Sequence, residues 1–254
     1  MRKGGVINMV VGIFYQGSGL GNQLHRYVAT RVLALDKGYD WGMVNVDNFK
    51  GKSFMDLQCP PVIKRWDKEF QEKKVVENGV DIRGYDPEFN FIEDNTIIDG
   101  EFQDERYFGH RLSEIREWLK VEPLDMPDDL CIINFRGGEY ALFPELFLTK
   151  EYWNVAIYQM LSRYGLSIRF EVHTDDVETA EKFFPNYPII RDIGLNWRSI
   201  RYAKHLILSN SSFAILPALL NEDVKEVIAP RYWARRNTKT WALPQNYYRK
   251  FTYI

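Results

Sequence analysis

Polar and charged side chains collect directly after four apolar segments in the second half of this sequence. The groups are Asn134 with Arg136-Gly137-Gly138-Glu139-Tyr140, Thr174-Asp175-Asp176, Ser209-Asn210-Ser211-Ser212 and Pro230-Arg231. An arginine binds phosphate through two parallel N–H groups. Hydroxyls at a helix start help to hold phosphate, and carboxylates accept hydrogen bonds from a ribose or the N–H edge of a base. Together these side chains predict a site for a nucleotide diphosphate.

Some of these residues also have a structural alternative. Asp175 and Glu178 have a spacing like that of a capping box, so one aspartate of the pair is as well explained as a helix cap. Ser211 or Ser212 is equally well explained as a plain N-cap. Arg136 is different, because an arginine between a buried strand and two glycines is costly without a partner. We therefore expect Arg136 to contact the ligand.

A second candidate site lies near the N-terminus, in Gly17-Ser18-Gly19-Leu20-Gly21-Asn22-Gln23-Leu24. This glycine loop joins a predicted strand, Met9 to Tyr15, to a predicted helix, Asn22 to Lys37. Glycines let a backbone approach a ligand closely, and a helix start offers unpaired N–H groups. Asn22 is predicted to cap the helix and Gly38 to end it. The loop predicts a phosphate or sugar site.

Several common sites are disfavoured by the spacing of residues. The four histidines share no metal-ligand spacing, and a structural role is expected for each of them. His173, beside the aspartate pair, is also a candidate ligand contact. No Asp-x-Asp triplet occurs to hold a metal-bound diphosphate. There is no Walker-type loop for phosphoryl transfer. The glycine loop also lacks the Gly-x-Gly-x-x-Gly spacing of nicotinamide dehydrogenases. We expect no metal and no resident cofactor.

The composition narrows the class of protein further. The chain has 254 residues with 33 basic and 35 acidic side chains, and this balance argues against a dedicated nucleic-acid binder. Cys59 and Cys131 make no disulfide framework, which favours a reducing, cytoplasmic location. No segment approaches the roughly 20 apolar residues of a membrane span. Val6 to Tyr15 fits a first core strand better than a signal peptide. The oligomeric state stays open.

The second half alternates strands with helices. Strands are predicted at Cys131–Phe135, Ile168–Thr174, His205–Ser209 and Val224–Ala229, and helices at Glu151–Tyr164, Asp176–Phe184, Trp197–Lys204 and Ser212–Leu220. This alternation indicates a parallel, doubly wound sheet. Ligands bind such sheets beyond the carboxyl ends of the strands, so we expect all four polar groups on one edge.

The region before that sheet gives fewer signals. Residues 39–125 contain scattered short apolar segments and one predicted helix, Ser113 to Lys120. Val121 to Asp129 carries two prolines and four acidic residues, which is typical of a linker. We therefore predict an N-terminal domain over residues 1–125 and a C-terminal domain over residues 126–254.

Taken in order, these segments resemble motifs of the α-1,2-fucosyltransferase family, glycosyltransferase family eleven. Gly17 to Leu24 is similar to the family's Gly-Gly-Leu-Gly-Asn-Gln-Leu opening, Gly100 to Phe108 to its Gly-Tyr-Phe-Gln-Ser-Glu-x-Tyr-Phe segment, Asn134 to Tyr140 to its His-x-Arg-Arg-Gly-Asp-Tyr segment, Thr174-Asp175-Asp176 to its Ser-Asp-Asp, His205 to Leu220 to its His-x-Ile-x-Ala-Asn-Ser-Ser-Phe block, and Val227-Ile228-Ala229-Pro230 with Trp233 to its close. The resemblance covers most of the chain.

The resemblance implies an α/β, GT-B-like fold of two Rossmann-type domains whose parallel sheets face a central cleft. It implies inverting, metal-independent transfer of fucose from GDP-fucose to a sugar hydroxyl. Arg136 would then hold the diphosphate, and a base would deprotonate the acceptor. The candidate bases are Glu139, Asp104, Glu105 and His25, and Glu139 is placed with Arg136 as a catalytic residue. The implied partners are a nucleotide-sugar donor and a carbohydrate acceptor, without nucleic acid.

The same resemblance divides the remaining site residues between the two domains. The donor-binding residues would be Asn134, Gly137, Gly138, His173, Asp175, Asp176, Asn210, Ser211 and Ser212. Asn134 and one of the aspartates would contact guanosine, and the two serines the phosphates. The opposite lip of the cleft would be Gly19, Gly21, Asn22, Gln23 and His25.

The chain departs from the family pattern in several places. The paired tryptophans that follow the family's Ser-Phe are Ile215 and Leu216 or their neighbours. The family's histidine is Asn134, its second arginine is Gly137, its aspartate is Glu139, and the phenylalanine after its Gly-Asn-Gln-Leu is His25. Two alternatives therefore stay open. The first is a different nucleotide sugar, with a substitute arginine from Arg198, Arg201, Arg231 or Arg235. The second is a binding protein that has the fold but no turnover.

Overall fold

A computed structural model describes residues 8–63, 65–73, 75–77, 80–82, 84–235, 239 and 247–254. The chain divides into two compact units, residues 1–120 and 121–254. Each unit is built on its own parallel sheet. The described residues include no helix that is both long enough and apolar enough to cross a membrane.

The first unit has a four-stranded parallel sheet in the order β2-β1-β6-β3. Its elements are β1 (Met9–Ile13), α1 (Leu20–Lys37), β2 (Asp40–Val44), β3 (Lys68–Gln71), the antiparallel hairpin β4 (Val75–Glu77) and β5 (Val80–Ile82), β6 (Thr96–Asp99) and α2 (Leu112–Trp118). The short strands beyond β1 were not evident from the sequence.

The helix α1 confirms the predicted type of element and corrects its start. Gly19 is the N-cap, with an extended backbone (φ −65°, ψ 152°), and the helix begins at Leu20. The prediction that Asn22 is the cap was wrong. Asn22 lies inside the first turn, where its Oδ1 accepts a hydrogen bond of 3.0 Å from Gln103 Nε2. Gly38 ends the helix as predicted, in the left-handed conformation (φ 67°).

The second unit has a six-stranded, wholly parallel sheet in the order β12-β11-β10-β7-β8-β9. Its elements are β7 (Leu130–Phe135), α3 (Lys150–Tyr164), β8 (Arg169–Thr174), α4 (Val177–Phe183), β9 (Ile189–Ile190), α5 (Ile193–Tyr202), β10 (His205–Leu208), α6 (Ser212–Leu220), β11 (Glu226–Ala229) and β12 (Thr252–Tyr253). The four predicted strands and their parallel pairing are confirmed.

One helix of this unit differs from its predicted bounds by more than one residue at either end. The segment predicted as Trp197 to Lys204 is α5, which begins four residues earlier. Asp192 caps it by accepting a hydrogen bond of 2.7 Å from the Leu195 N–H. The glycine in its first turn concealed this start, because glycine disfavours a helix interior.

The strand order makes β7 and β10 the two sides of a switch point. From β7 the chain adds β8 and β9 on one side, then returns to place β10, β11 and β12 on the other. Asn134 of β7 lies opposite Leu208 of β10. Open α/β sheets bind ligands outside the carboxyl ends of the strands at this point. The loops that follow β7 and β10 therefore border the expected crevice.

A packed aromatic cluster fixes the end of β7. Phe135, the last residue of the strand, is 1% exposed and lies 5.4 Å from the Trp153 ring and 5.4 Å from the Phe184 ring. These residues belong to the core between the sheet, α3 and α4. The residue that follows Phe135 is thus held at a defined place on the carboxyl edge.

Candidate functional site

Arg136 is the first residue after β7, and its side chain is held between two carboxylates and a ring. One terminal nitrogen, Nη1, donates to the Asp175 carboxylate. The other, Nη2, donates to Glu139 Oε1 at 2.9 Å. The guanidinium carbon lies 5.2 Å from the centre of the Tyr140 ring, a cation–π contact. The structure thus brings together Arg136, Glu139 and Asp175, as the sequence predicted for one sheet edge.

The two aspartates also hold the backbone after Arg136. The Gly137 N–H donates to Asp175 Oδ1 at 2.9 Å, and the Gly138 N–H donates to Asp176 Oδ2 at 3.1 Å. We call these four residues the Asp–Gly clamp. Because β7 and β8 pair along their length up to Phe135 and Thr174, the loops that follow them start side by side.

Both glycines of the Asp–Gly clamp are required by close approach. A Cβ atom on Gly137 would lie 2.7 Å from the Cβ of Asp176. A Cβ atom on Gly138 would lie 2.7 Å from Asp175 Oδ2, and Gly138 also has φ +46°, which favours glycine. A glycine at position 137 therefore has a physical reason, because Asp176 occupies the space that a side chain would need.

Asp176 has a second task, which confirms the helix-cap alternative for one aspartate of the pair. Its carboxylate accepts hydrogen bonds from the Thr179 N–H at 3.1 Å and the Thr179 hydroxyl at 2.6 Å, and so caps α4. The hydroxyl is the main reason why the pKa of Asp176 lies below its usual value. The spacing Asp-x-x-Thr was the signal for Thr179, which the sequence analysis did not single out.

The start of α6 is not capped in this way. Ser211 is its N-cap, yet within the described part of the chain the Ser211 side chain makes no capping hydrogen bond, and no acidic residue lies in the first turn. Ser212 begins the helix. In contrast, α4 and α5 are both capped by an aspartate. The Ala214 N–H donates to the Ser211 carbonyl at 3.1 Å. The positive end of the helix dipole, with no side-chain cap from Ser211, still favours an anion at the carboxyl end of β10.

Asn134 connects the two sides of the switch point. The Ser209 hydroxyl donates to Asn134 Oδ1 at 3.0 Å, and both residues are buried. Ser209 directly follows β10, which was the available signal for it, but the sequence alone did not pair it with Asn134. The contact fixes the polar floor between β7 and β10.

Asn210 braces three loops of the carboxyl edge. Its Nδ2 donates to the Leu146 carbonyl at 2.9 Å and to the Trp233 carbonyl at 2.6 Å, and the residue is 1% exposed. Leu146 lies after β7 and Trp233 after β11, so a single amide joins the loops after β7, β10 and β11. Asn210 was predicted to bind the donor. It lies on the carboxyl edge, as expected, but its side chain is engaged in these two hydrogen bonds.

Replacing Asn210 by alanine should destabilise the second unit. The change leaves two carbonyl groups without their donor, which costs about 1 to 3 kcal/mol. Urea unfolding followed by circular dichroism would measure the loss. The control is Asn154→Ala, an asparagine on the exposed face of α3. Equal stability of the two variants would contradict the bracing role.

His173 lies inside the second unit. It is fully buried, with Nδ1 2.8 Å from Asn196 Oδ1 and Nε2 2.8 Å from Glu171 Oε1. The hydrogen bond between His173 and Glu171 is the main reason why the pKa of Glu171 lies below its usual value. Both ring nitrogens are engaged within the unit, which favours the structural alternative for this histidine. Asn196 was not identified from the sequence.

The four arginines predicted as candidates for a second phosphate contact lie in different places. Arg198 donates to the carbonyls of Glu122 and Pro123, at 2.8 and 3.0 Å. It therefore holds the segment that leads to the amino end of β7, away from the carboxyl edge. The Arg201 guanidinium lies over the Tyr202 ring. Arg231 and Arg235 follow β11, on the same edge as Arg136.

In the first unit, the predicted loop residues divide into backbone and core positions. Gly19 caps α1 and Gly21 is buried in its first turn. Gln23 is fully buried, where its Nε2 donates to the Asn48 carbonyl at 2.8 Å and its Oε1 accepts from the Lys50 N–H at 3.0 Å. Gln23 thus ties α1 to the turn after β2.

His25 is also in the core of the first unit. Its Nδ1 lies 2.8 Å from the Gly21 carbonyl, and its ring packs edge-on against Phe108 at 5.8 Å. Its Nε2 is buried and has no hydrogen-bond partner among the described residues. Of the other candidate bases, Asp104 is 6% exposed and both its carboxylate oxygens accept hydrogen bonds from Arg106.

Burial gives His25 a predictable effect on stability. Burial lowers the pKa of His25 from 6.5 to about 4. The unfolded chain therefore binds the proton more readily than the folded chain does. The contribution of neutral His25 to the free energy of unfolding is complete above pH about 6.5 and is lost as the pH falls towards 4. Between pH 7.5 and pH 5 we expect His25 to remove about 2 kcal/mol from the free energy of unfolding.

The variant His25→Phe tests this expectation. It cannot be protonated, so its free energy of unfolding should depend less on pH than that of the unchanged chain. Urea unfolding at pH 7.5, 6 and 5 would measure the difference. A variant with the same pH slope as the original would show that His25 does not contribute.

No three His, Cys, Asp or Glu side chains of the described ranges come together in a way that could hold a metal ion. A scan against protein-family models finds no match, and neither does a search of curated proteins.

Solved structures do resemble this one. The crystal structure of fucosyltransferase NodZ from Bradyrhizobium matches with a TM-score of 0.51 and 11% sequence identity, over 88% of this chain and 96% of that chain. A structure of NodZ alpha-1,6-fucosyltransferase soaked with GDP-fucose matches with a TM-score of 0.47 and 12% identity, over 87% and 94%. The first similarity shows the fold and confirms the predicted α/β, GT-B-like class. It does not point to the α-1,2 family in particular.

Proposed function

We propose that this chain is a glycosyltransferase that transfers fucose from GDP-fucose to the hydroxyl of a sugar acceptor. One observation carries the proposal: Arg136 and the uncapped start of α6 stand on the two sides of the switch point. The motifs that resemble the α-1,2-fucosyltransferase family support it, and so does the fold similarity to a fucosyltransferase.

The diphosphate is assigned to the crevice between β7 and β10. Arg136 follows β7 directly, and α6 begins four residues after the end of β10. These strands are neighbours, so a cation and the start of a helix border one crevice. This pairing of a guanidinium with a helix start suits the oxygens of two linked phosphates. Ser211 and Ser212 would add hydroxyl groups, and Asn134 a buried amide, to the same place.

The Asp–Gly clamp is assigned a positioning task in this proposal. Its carboxylates hold the backbone directly after Arg136, so they fix where the guanidinium starts. A group that stabilises developing charge is most effective when it is held in place before the reaction. This assignment differs from guanosine contact, because the aspartate oxygens already accept hydrogen bonds within the unit.

The proposed reaction is a direct displacement. The acceptor oxygen forms a bond to the anomeric carbon of fucose while the bond from that carbon to the phosphate oxygen breaks. The electron pair leaves with GDP, whose developing charge Arg136 and α6 stabilise. The hydroxyl proton goes to a general base, for which Glu139 is the candidate of the second unit. The sequence motifs favour an α-1,2 linkage.

A binding protein without turnover is the second candidate. The observation that favours it is the lack of space for an arginine side chain at Gly137, beside Arg136. A glycosyltransferase with another nucleotide sugar is the third candidate, and Arg231 and Arg235 on the same edge are its substitute cations.

Thermal-shift measurements with GDP, GDP-fucose, UDP and UDP-glucose would test the proposal, because a ligand that binds the folded state raises the melting temperature. We expect GDP and GDP-fucose, but not UDP or UDP-glucose, to raise the melting temperature. In a separate activity assay, we expect GDP to be released from GDP-fucose when a sugar acceptor is added. Stabilisation by a uridine nucleotide alone would overturn the choice of donor. Binding without GDP release over a panel of acceptors would favour the binding protein. Linkage analysis of any product would settle the bond formed.

A further inference from the structure

The proposed phosphate-binding arginine is already neutralised. Both terminal nitrogens of Arg136 donate to carboxylates, Nη1 to Asp175 and Nη2 to Glu139. Asp176 adds a third carboxylate at the same loop. An anionic diphosphate that approaches this cluster therefore meets one cation among three negative groups. Because like charges repel, binding of the diphosphate favours withdrawal of one carboxylate from the guanidinium.

The three carboxylates are held to very different degrees. Asp175 binds Arg136 and also the Gly137 N–H, and its side chain is 34% exposed. Asp176 binds the Gly138 N–H and caps α4. Glu139 is bound by Arg136 through one hydrogen bond of 2.9 Å, and its side chain is 67% exposed. Glu139 is therefore the carboxylate that can leave at the lowest cost.

We propose that Glu139 is an exchangeable counter-ion, which occupies the phosphate position on Arg136 Nη2 until the diphosphate displaces it. This inference rests on the proposed function and names the residue that sets the affinity of its phosphate site. A ligand must form stronger charge-assisted hydrogen bonds with Arg136 than Glu139 does. The exchange therefore favours a diphosphate over a singly charged anion. Until the donor is bound, the Glu139 carboxylate remains hydrogen-bonded to Arg136.

The test is the affinity of the full chain for GDP, measured by isothermal titration calorimetry at pH 7.5 and low salt. Glu139→Gln removes the competing charge, and we expect it to bind GDP about two- to fivefold more tightly, the range for loss of an exposed ion pair. The matched control is Glu145→Gln, which makes the same change of charge in the same loop, where Glu145 lies 3.7 Å from Arg235. The control should change the affinity less.

A charge-conserving variant separates contact from overall field. Glu139→Asp keeps the charge but is shorter by one methylene group, so it should release Nη2 and also bind GDP more tightly than the original chain. Weaker GDP binding by Glu139→Gln would show that Glu139 contacts the nucleotide. Equal effects of Glu139→Gln and Glu145→Gln would show that only the overall charge of the protein changes the affinity. Either result overturns the inference. No GDP binding by the unchanged chain would instead overturn the proposed function. Melting temperatures of all variants verify that they are folded.

Discussion

Replacing Arg136 by alanine should raise the dissociation constant for GDP by about 10- to 150-fold, which corresponds to the loss of charge-assisted hydrogen bonds worth about 1.5 to 3 kcal/mol. The effect has two sources. The variant loses the cation at the end of β7, and it leaves the carboxylates of Asp175 and Glu139 without their counter-ion. Both changes disfavour an anionic ligand at the same place.

The conservative variant Arg136→Lys refines this prediction. Lysine keeps a positive charge but not the two parallel N–H groups of a guanidinium. We expect it to bind GDP with an affinity between those of the original chain and the alanine variant. Isothermal titration calorimetry at a fixed salt concentration would measure all three, because exposed charges are screened by salt.

The matched control for Arg136 is Arg169→Ala. Arg169 is another partly exposed arginine with two hydrogen bonds to an aspartate, Asp129, at 2.9 and 2.8 Å. It lies at the start of β8, so it is at the opposite edge of the same sheet. Its loss changes the net charge equally and should leave GDP binding within about twofold, since distant surface charges are screened. Equal losses in both variants would contradict a local phosphate contact.

The second large effect is expected from the glycines of the Asp–Gly clamp. Gly138→Ala should weaken GDP binding at least tenfold, because its Cβ would lie 2.7 Å from Asp175 Oδ2 and would displace the carboxylate that also holds Arg136. The φ of +46° is also strained for alanine. This strain lowers the free energy of unfolding by about 1 to 2 kcal/mol rather than the GDP affinity.

Three alanine variants separate these causes. Gly137→Ala has the close contact, 2.7 Å from Asp176 Cβ, without a positive φ. Gly165→Ala has the positive φ of +82° after α3, with no atom within 4 Å of the added Cβ. We expect Gly165→Ala to lower the melting temperature and leave GDP affinity unchanged. Gly137→Ala and Gly138→Ala should both lower the affinity. GDP affinity lowered by Gly165→Ala alone would contradict the clamp.

The sequence was a good guide to the second unit because its signals are local. Apolar runs followed by turn residues marked β7, β8, β10 and β11 to within one or two residues, and their parallel pairing brought the predicted polar groups to one edge. In the first unit, Gly38 gave the end of α1 correctly. Its start was misplaced because Asn22 is a good capping residue, while the backbone at Gly19 turns into the helix first.

The partners within the site were beyond what the sequence could predict. Asp175 lies 39 residues from Arg136, and their contact depends on the paths of two loops rather than on any local pattern. The same is true of Asn210, whose partners are 64 and 23 residues away. Gln23 matched a loop motif and His25 departed from it, yet helix geometry turns both side chains into the core of the first unit.

The lack of space at Gly137 has a consequence for how such sites change in evolution. The Cβ atom of an arginine at this position would lie 2.7 Å from the Cβ atom of Asp176, which is too close for two carbon atoms. Positions 137 and 176 should therefore covary, with arginine at the first accompanied by a smaller residue at the second or a displaced loop. A mutational path to a two-arginine site that keeps the loop in place would alter Asp176 before Gly137. The cap of α4 would then be lost unless the new residue is itself a capping residue, because Asp176 provides it.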